Sequence, residues 1–189
     1  MTKDSNGKYQ KKILTIPNLL SFFRLCLIPV IVWLYSFKQN YVWTLLVLLI
    51  SGATDIIDGI IARRLNMISD FGKAFDPIAD KLTQMAVLFC LVSRFPYMTI
   101  PLIILIIKEV TAAVMNMIAI KKTNEVMGAV WHGKLTTVLL YSTMVIHIIW
   151  FNIPMLVSNL LIAISTAMML FSAVQYTLRN IRTLRKKEE

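Results

Sequence analysis

The sequence is poor in charged residues and rich in apolar ones. Of its 189 residues, 16% are charged and 57% are hydrophobic, whereas apolar side chains make up about half of a typical soluble domain. Each membrane crossing needs about 20 mostly apolar residues, so six crossings would use roughly 120 positions. The composition therefore excludes a separate soluble catalytic domain, and any chemistry must involve residues on or between membrane helices.

Cysteine is also scarce. Cys26 and Cys90 both lie in apolar runs without Cys-x-x-Cys spacing, which disfavours disulfide and zinc chemistry and indicates buried packing residues. A small-residue cleavage site is missing after the basic N-terminal segment, so we expect a retained first helix rather than a removed signal peptide. There is no internal repeat, linker or low-complexity stretch.

Six apolar runs are present, and their connections are short. We therefore predict one all-α integral membrane domain over 1–189 with six transmembrane helices, a basic N-terminal segment at 1–16 and a basic tail at 179–189. Pro96 and Pro154 stand where new helices would begin. The predicted spans are 17–37, 41–63, 72–93, 97–120, 135–152 and 154–178.

The net charge of +10 is distributed unevenly between the two sides of the predicted membrane. Four basic residues precede the first span, three follow the second, three follow the fourth and five follow the sixth, so fifteen of twenty fall on one side, while Lys38 and Arg94 fall on the other. The positive-inside rule then places both termini in the cytoplasm. The basic tails can also attract anionic lipid headgroups. We read this charge as a membrane feature and expect no nucleic-acid partner.

Five of the ten acidic residues fall between positions 55 and 80. Asp55 and Asp58 are three apart in the second span, and Asp76 and Asp80 are four apart in the third, so each pair shares a helix face. A short loop joins the two helices as an antiparallel pair. The four carboxylates can therefore converge near the cytoplasmic boundary of the bilayer.

Four clustered carboxylates in a membrane need compensation, because each costs roughly 2.5–3.5 kcal/mol at a helix centre. Arg63 and Lys81 supply too little positive charge. Hard oxygen ligands of this kind suit Mg²⁺, Mn²⁺ or Ca²⁺, and a pair of such ions could clamp a displacement at phosphorus; we expect two Mg²⁺ or Mn²⁺ ions. The alternative is that the aspartates serve only as salt-bridge or capping residues.

Small residues accompany the aspartates. Gly59, Gly72 and Ala62 would let a bulky ligand approach the helix backbone, and the guanidinium of Arg63 has a donor fork suited to phosphate oxygens. The small residues could equally mark close helix packing.

The complete stretch matches D-x2-D-G-x2-A-R-x8-G-x3-D-x3-D at every fixed position. It resembles the CDP-alcohol phosphotransferase family, integral membrane enzymes of phospholipid synthesis. The opening TIPNLLSFFRLCLIPV and the DPIADKL ending are similar to the bacterial phosphatidylglycerophosphate synthase and cardiolipin synthase branches. The positions matched are Asp55, Asp58, Gly59, Ala62, Arg63, Gly72, Asp76 and Asp80.

The resemblance implies a two-metal site held by the four aspartates, with Asp80 also acting as the general base. It implies that Asp58, Gly59, Ala62, Arg63 and Gly72 receive the cytidine diphosphate part of CDP-diacylglycerol. The acceptor hydroxyl would attack phosphorus and CMP would leave. The resemblance also implies a homodimer in a bacterial inner membrane with its site facing the cytoplasm.

The acceptor is expected to be glycerol-3-phosphate, with phosphatidylglycerol, used by cardiolipin synthase, as the alternative. Family members that make phosphatidylglycerophosphate typically have an Arg-Glu pair in the fourth span and a Gly-Lys-x-Lys-Thr run before the fifth. This chain has Lys108-Glu109 and Gly133-Lys134-Leu135-Thr136 at these places, so Lys108 replaces the arginine and Leu135 replaces one lysine. We predict that Lys108, Lys134 and Arg24 bind the acceptor, and that Lys108 does not simply pair with Glu109, since adjacent helix residues do not face each other.

Other interpretations concern different residues or a different class of protein. His147 is predicted to pack or to hydrogen-bond between helices, and His132 to lie in an exposed loop. A divalent-cation transporter could use the same carboxylates as an ion path, but that function would favour related sites in both halves of the chain. Here the acids crowd one edge.

Overall fold

The computed structural model describes the backbone of residues 16–64, 70–123 and 131–185. Side chains at 16–18, 55, 56, 58–64, 70–75, 116–123, 132 and 180–185 lie outside the description. The described residues form six α-helices: α1 Ile16–Val32, α2 Tyr41–Arg64, α3 Asp70–Val92, α4 Thr99–Thr123, α5 Trp131–Ile149 and α6 Met155–Arg185. A π-helical turn, Trp33–Phe37, follows α1, and a 3-10 turn, Pro96–Met98, precedes α4.

Each helix corresponds to one predicted apolar run, with the clearest difference at the end of the chain. We predicted a basic tail from residue 179, and α6 continues to Arg185, so the first part of that predicted tail is helical. The helix contains neither glycine nor proline. Because leucine and arginine are good helix formers, no local signal ends the helix where the apolar run ends.

The two prolines predicted to begin helices do so. Pro96 is the first residue of the 3-10 turn, and Pro154 immediately precedes α6, where its carbonyl accepts a hydrogen bond from the backbone N–H of Ser158 at 3.0 Å. Proline is tolerated at a helix start because its missing N–H would have no intrahelical partner there.

The chain divides into two compact units, Met1–Cys90 and Leu91–Glu189. In the first unit α1 packs against α2. In the second unit α6 packs against both α4 and α5.

Three segments in the described residues are long and apolar enough to cross a membrane: Leu19–Phe37, Pro96–Met115 and Met155–Arg179. Shorter apolar helical segments cover Tyr41–Thr54 and Gly133–Ile149. Many large apolar side chains point outward, with Leu156 82% exposed. Outward apolar faces on long helices are typical of a protein whose solvent is lipid, so the chain is an all-α membrane protein.

The prediction for the cysteines was half right. Neither cysteine forms a disulfide, and Cys90 is buried, but Cys26 is exposed. Lipid is as apolar as a protein interior, so an apolar run does not distinguish a core position from a lipid-facing one.

Candidate active site

Helix α3 places two of the predicted aspartates on one face. Asp76 and Asp80 are four residues apart in a helix that continues through Pro77, and residues with this spacing lie one above the other. Both are partly buried, and the Asp80 side chain is 20% exposed. The face therefore presents two carboxylates that are shielded yet accessible.

The Asp80 carboxylate is held by two neighbours on its own helix. Gln84 donates from Nε2 to Asp80 Oδ2 at 2.9 Å, and Lys81 Nζ lies 3.6 Å from the same oxygen. Lys81 also donates to Gln84 Oε1 at 3.4 Å. Because Gln84 is fully buried, its amide has little rotational freedom and fixes the orientation of the Asp80 side chain.

Helix α1 supplies the partner of Asp76. Ser21 donates from its hydroxyl to Asp76 Oδ1, and Ser21 itself is fully buried. Arg24, three residues further along, shares that face of α1 and is only 1% exposed. The structure thus places a buried guanidinium one turn from the serine that contacts Asp76, and the acceptor-binding role of Arg24 stays a prediction.

Sequence reasoning missed Ser21 and Gln84. Both were detectable in principle, because Gln84 is a polar residue four positions after Asp80 in an apolar helix, and Ser21 stands three positions before Arg24 in another. A polar residue spaced three or four from a charge in an apolar helix is a signal for a supporting hydrogen bond.

The side chains of the remaining motif residues lie outside the part of the chain that the structure describes. Their backbone is helical, in α2 for the first five and in α3 for the last. The roles predicted for them stay predictions. They are Asp55, Asp58, Gly59, Ala62, Arg63 and Gly72.

The donor set on α3 fits a hard divalent cation. Partly buried carboxylate oxygens are the ligands that Mg²⁺ and Mn²⁺ prefer, and Asp76 and Asp80 supply half of the predicted set. Among the described side chains there is no group of three or more His, Cys, Asp or Glu residues that could hold a metal. The other two predicted ligands, Asp55 and Asp58, lie outside that set.

The predicted acceptor residue Lys108 contacts the neighbouring Glu109, which we did not expect. Lys108 Nζ lies 3.4 Å from Glu109 Oε1, so the expectation that these adjacent residues would not pair was wrong. Both side chains are largely shielded, with relative exposures of 16% and 26%. Long flexible side chains can meet around the helix even when their Cβ atoms diverge.

The second predicted acceptor region begins α5. Lys134 is exposed, and a Cβ atom at Gly133 would meet no atom within 4 Å. Thr136 is buried and donates to the carbonyl of Met168 in α6 at 3.3 Å. Lys108 and Lys134 thus lie on different helices of the second unit.

His147 belongs to a buried hydrogen-bond network between α5 and α6, which confirms its predicted structural role. Its ring nitrogens lie 2.7 Å from the Thr143 carbonyl and 2.9 Å from Ser158 Oγ. Thr143 Oγ1 and Ser165 Oγ are 2.6 Å apart. We call these four residues the α5–α6 ladder. His132 carries a side chain outside the described part of the chain.

Comparison with known proteins places this arrangement in a family. The model of the CDP-alcohol phosphatidyltransferase family matches residues 14–175, which include α1 to α5, most of α6 and the aspartate motif. The chain belongs to the CDP-alcohol phosphatidyltransferase family. Members of this family generally depend on divalent cations, which agrees with the donor chemistry on α3.

Two kinds of relative are similar to this family member. A Streptomyces coelicolor protein named cardiolipin synthase (CMP-forming) is 43% identical over 88 residues, covering 44% of this chain and 41% of that protein. An Aquifex aeolicus protein named CDP-diacylglycerol–glycerol-3-phosphate 3-phosphatidyltransferase is 29% identical over 180 residues, covering 92% of this chain and all of that protein.

A Rickettsia typhi protein with the same name as the Aquifex protein is 36% identical over 96 residues, covering 50% of this chain and 54% of that protein. The matched parts therefore span about two fifths of the Streptomyces relative, about half of the Rickettsia relative and the full length of the Aquifex relative.

Proposed function

We propose that this protein transfers the phosphatidyl group of CDP-diacylglycerol to an alcohol and releases CMP, with glycerol-3-phosphate as the acceptor and phosphatidylglycerophosphate as the product. The observation that carries the chemistry is the pair of carboxylates on one face of α3, with Asp80 held by Gln84 and Lys81. The full-length match to the Aquifex aeolicus relative supports the choice of acceptor.

Asp80 is the proposed general base. Its carboxylate would take the proton of the acceptor hydroxyl while the oxygen forms a bond to the phosphorus that carries diacylglycerol. The bond from that phosphorus to the CMP oxygen breaks, and CMP departs with the electron pair. A positioned base of this kind typically accelerates a reaction by about 10²–10⁴-fold, and Gln84 keeps the carboxylate oriented for the transfer.

Asp55, Asp58, Asp76 and Asp80 would hold two Mg²⁺ or Mn²⁺ ions. When bound, such ions neutralise phosphate charge and polarise phosphorus. Gly59, Ala62, Arg63 and Gly72, together with Asp58, would receive the cytidine diphosphate part of the donor. Transfer at phosphorus needs positioning and charge neutralisation more than covalent help, which agrees with a site built from carboxylates and small residues.

The acceptor phosphate would be bound by cations. As the sequence predicts, the proposed partners are Lys108, Lys134 and Arg24. Buried or shielded cations in a membrane protein are functional candidates by default, and Arg24 and Lys108 are both shielded. The ion pair with Glu109 would position the Lys108 ammonium.

A second candidate is cardiolipin synthase activity, with phosphatidylglycerol as the acceptor. The match to the Streptomyces coelicolor relative favours it, as do Lys108 and Leu135, which depart from the residues expected for a glycerol-3-phosphate enzyme. Transport of divalent cations is the candidate from another class, and membership of a transferase family makes it the weaker one.

One assay separates these functions. The purified full-length protein is supplied with CDP-diacylglycerol, Mg²⁺ and either glycerol-3-phosphate or phosphatidylglycerol, and both CMP and the lipid product are measured. We expect CMP release and phosphatidylglycerophosphate with glycerol-3-phosphate alone. Cardiolipin formed only with phosphatidylglycerol would select the second candidate. Turnover with neither acceptor, together with metal flux into liposomes, would favour transport.

We also propose the arrangement in the membrane. The six helices would all cross the bilayer as one domain, with both termini and the aspartates at the cytoplasmic face of a bacterial inner membrane, as the charge distribution predicts. The protein would act as a homodimer. Accessibility of single cysteines placed at 38–40 or at 124–130 to a membrane-impermeant reagent would test the orientation, since the predicted topology puts these two segments on opposite sides.

A further inference from the structure

Helix α1 presents a buried hydroxyl to the interior of the first unit. Ser21 is fully buried, whereas the next two residues, Phe22 and Phe23, are 57% and 45% exposed. Ser21 therefore lies on the face of α1 that other helices cover, and the two aromatic rings lie on the outer face. A buried hydroxyl in an apolar setting is costly unless it forms a hydrogen bond within the protein.

Helix α1 contacts both helices of the aspartate motif, although it carries none of the eight motif residues. It packs against α2, the helix whose backbone includes Asp55 and Asp58. From its buried face, the Ser21 hydroxyl donates to Oδ1 of Asp76 on α3. Helix α1 is therefore a third helix of the candidate active site.

The two carboxylates on α3 are held from different directions. Asp80 accepts a hydrogen bond from Gln84 of its own helix. Among the residues that the structure describes, Ser21 is the one hydrogen-bond partner of Asp76. The terminal torsion of an aspartate is broad, so the carboxylate of Asp76 would rotate more freely without this partner. Because a serine hydroxyl has a single proton to donate, it restrains Oδ1 and does not occupy Oδ2.

The charge of its partner distinguishes this serine from a residue that only joins two helices. In the α5–α6 ladder, the Thr143 hydroxyl meets the neutral hydroxyl of Ser165, and such neutral pairs are sufficient to hold helices together. Ser21 instead donates to a carboxylate, and hydrogen bonds to ionised groups are the stronger kind. A residue that orients a metal-binding carboxylate in this way typically changes metal affinity by about 10–100-fold.

We propose that Ser21 is a positioning residue of the candidate metal site. From α1, its hydroxyl holds Oδ1 of Asp76 and so orients the carboxylate for a divalent cation before any substrate binds. This inference rests on the proposed function, because it takes Asp76 as a cation ligand. It adds to that function a residue outside the aspartate motif and a third helix that supports the motif.

The test measures Mn²⁺ binding to the purified full-length protein in micelles without substrate. Electron paramagnetic resonance follows the signal of free Mn²⁺, which weakens when the ion binds. We expect the Kd for Mn²⁺ to be about tenfold higher in Ser21→Ala than in the unmutated protein. Ser21→Thr keeps the hydroxyl and should restore binding. An unchanged Kd in a folded Ser21→Ala protein would overturn the proposal.

A matched control separates positioning from a general loss of packing. Thr44 is also buried in the first unit, and its hydroxyl donates to the Asn40 carbonyl at the start of α2. Thr44→Val removes that hydroxyl at the opposite end of α2 from Asp55 and Asp58, so the Kd for Mn²⁺ should stay the same. A loss of affinity in Thr44→Val equal to that in Ser21→Ala would contradict a specific role for Ser21.

A double variant tests whether the hydroxyl acts through Asp76. Asp76→Asn alone should weaken Mn²⁺ binding, and Ser21→Ala in that background should weaken it no further, since the partner carboxylate is already lost. A further tenfold loss would contradict the proposal. If Ser21→Ala does not fold, Ser21→Cys decides instead, because its thiol is a weaker donor and an unchanged Kd would overturn the proposal.

CMP release by the unmutated protein distinguishes this inference from the proposed function. Phosphatidyl transfer together with an unchanged Kd in Ser21→Ala would reject the positioning role alone. If the unmutated protein neither binds Mn²⁺ nor releases CMP, the proposed function fails and the inference fails with it.

Discussion

The α3 face and the α5–α6 ladder both place polar groups inside an otherwise apolar protein, but they differ in charge. The ladder pairs an imidazole with hydroxyls and a backbone carbonyl at 2.6–2.9 Å. The α3 face instead holds two carboxylates, contacted by the hydroxyl of Ser21, the amide of Gln84 and the ammonium of Lys81.

This difference separates a structural network from the proposed reactive one. Neutral groups that satisfy one another gain a modest stabilisation of about 0.6 kcal/mol per bond in a membrane protein. A carboxylate carries a charge, which is costly in an apolar setting unless cations or a ligand compensate it. The charge, rather than the burial of polar atoms as such, distinguishes the proposed functional face.

The largest effect should come from Asp80→Asn. The amide keeps the shape of the side chain but cannot accept a proton, so we expect turnover to fall by about 10²–10⁴-fold, measured as CMP release. Binding of CDP-diacylglycerol should largely remain. Asp70→Asn, which changes an aspartate outside the motif, is the control. Near-normal turnover in Asp80→Asn would remove the general-base assignment.

Gln84→Met should have an intermediate effect. Methionine is close in length and apolar, so the helix should fold, but the donor to Asp80 Oδ2 is lost. We expect kcat about tenfold lower with a smaller change in KM for the donor, since orientation of the base is impaired. The exposed Gln175→Met on α6 should leave both parameters unchanged. A rise in KM with kcat intact would contradict a positioning role.

His147→Phe tests the other side of the comparison. It removes the hydrogen bonds to Ser158 and to the Thr143 carbonyl, so the free energy of unfolding should fall by about 1.2 kcal/mol, two bonds of average strength. Turnover of the folded variant should be unaffected. Unfolding in mixed micelles measures the first quantity and CMP release the second, with Ile149→Phe, at an exposed position, as the control. A loss of turnover as large as that of Gln84→Met would show that the ladder contributes to activity.

Thr143→Val should have the smallest effect. It deletes the hydroxyl contact with Ser165 while the Ser165 hydroxyl keeps its bond to the Leu161 carbonyl, so we expect about 0.6 kcal/mol of destabilisation. Thr137→Val, which removes a bond to Gly133 within the same helix, should cost less. Equal losses in both variants would show that the interhelical contact contributes nothing of its own.

Much of the helical architecture could be predicted because apolar runs of membrane length leave few alternatives. The starts of two helical segments followed from Pro96 and Pro154, since proline is favoured in the first turn of a helix, although Pro29 and Pro77 lie inside helices. The end of α6 could not be predicted from hydropathy. Hydropathy indicates where the apolar run ends, whereas the helix-forming residues beyond that point let the helix continue.

In the candidate site, the acidic residues could be predicted from the sequence, but the residues that hydrogen-bond to them could not. Asp76 and Asp80 are rare acids at helical spacing, so their shared face followed from the sequence. Ser21 and Gln84 are common residue types, and their function depends on which neighbour they reach. Lys108 shows the same limit, because its approach to Glu109 depends on the conformation of two long side chains.

The sequence by itself determined the helices, the membrane setting and the family, because each rests on a local pattern: apolar length, proline position and the fixed spacing of eight motif residues. Only the tertiary structure decided that Ser21 from α1 meets Asp76, that His147 meets Ser158, and that a groove runs between α4 and α6. These are contacts between segments distant in the chain. They depend on how helices pack, and periodicity along one helix carries no information about the neighbour that it faces.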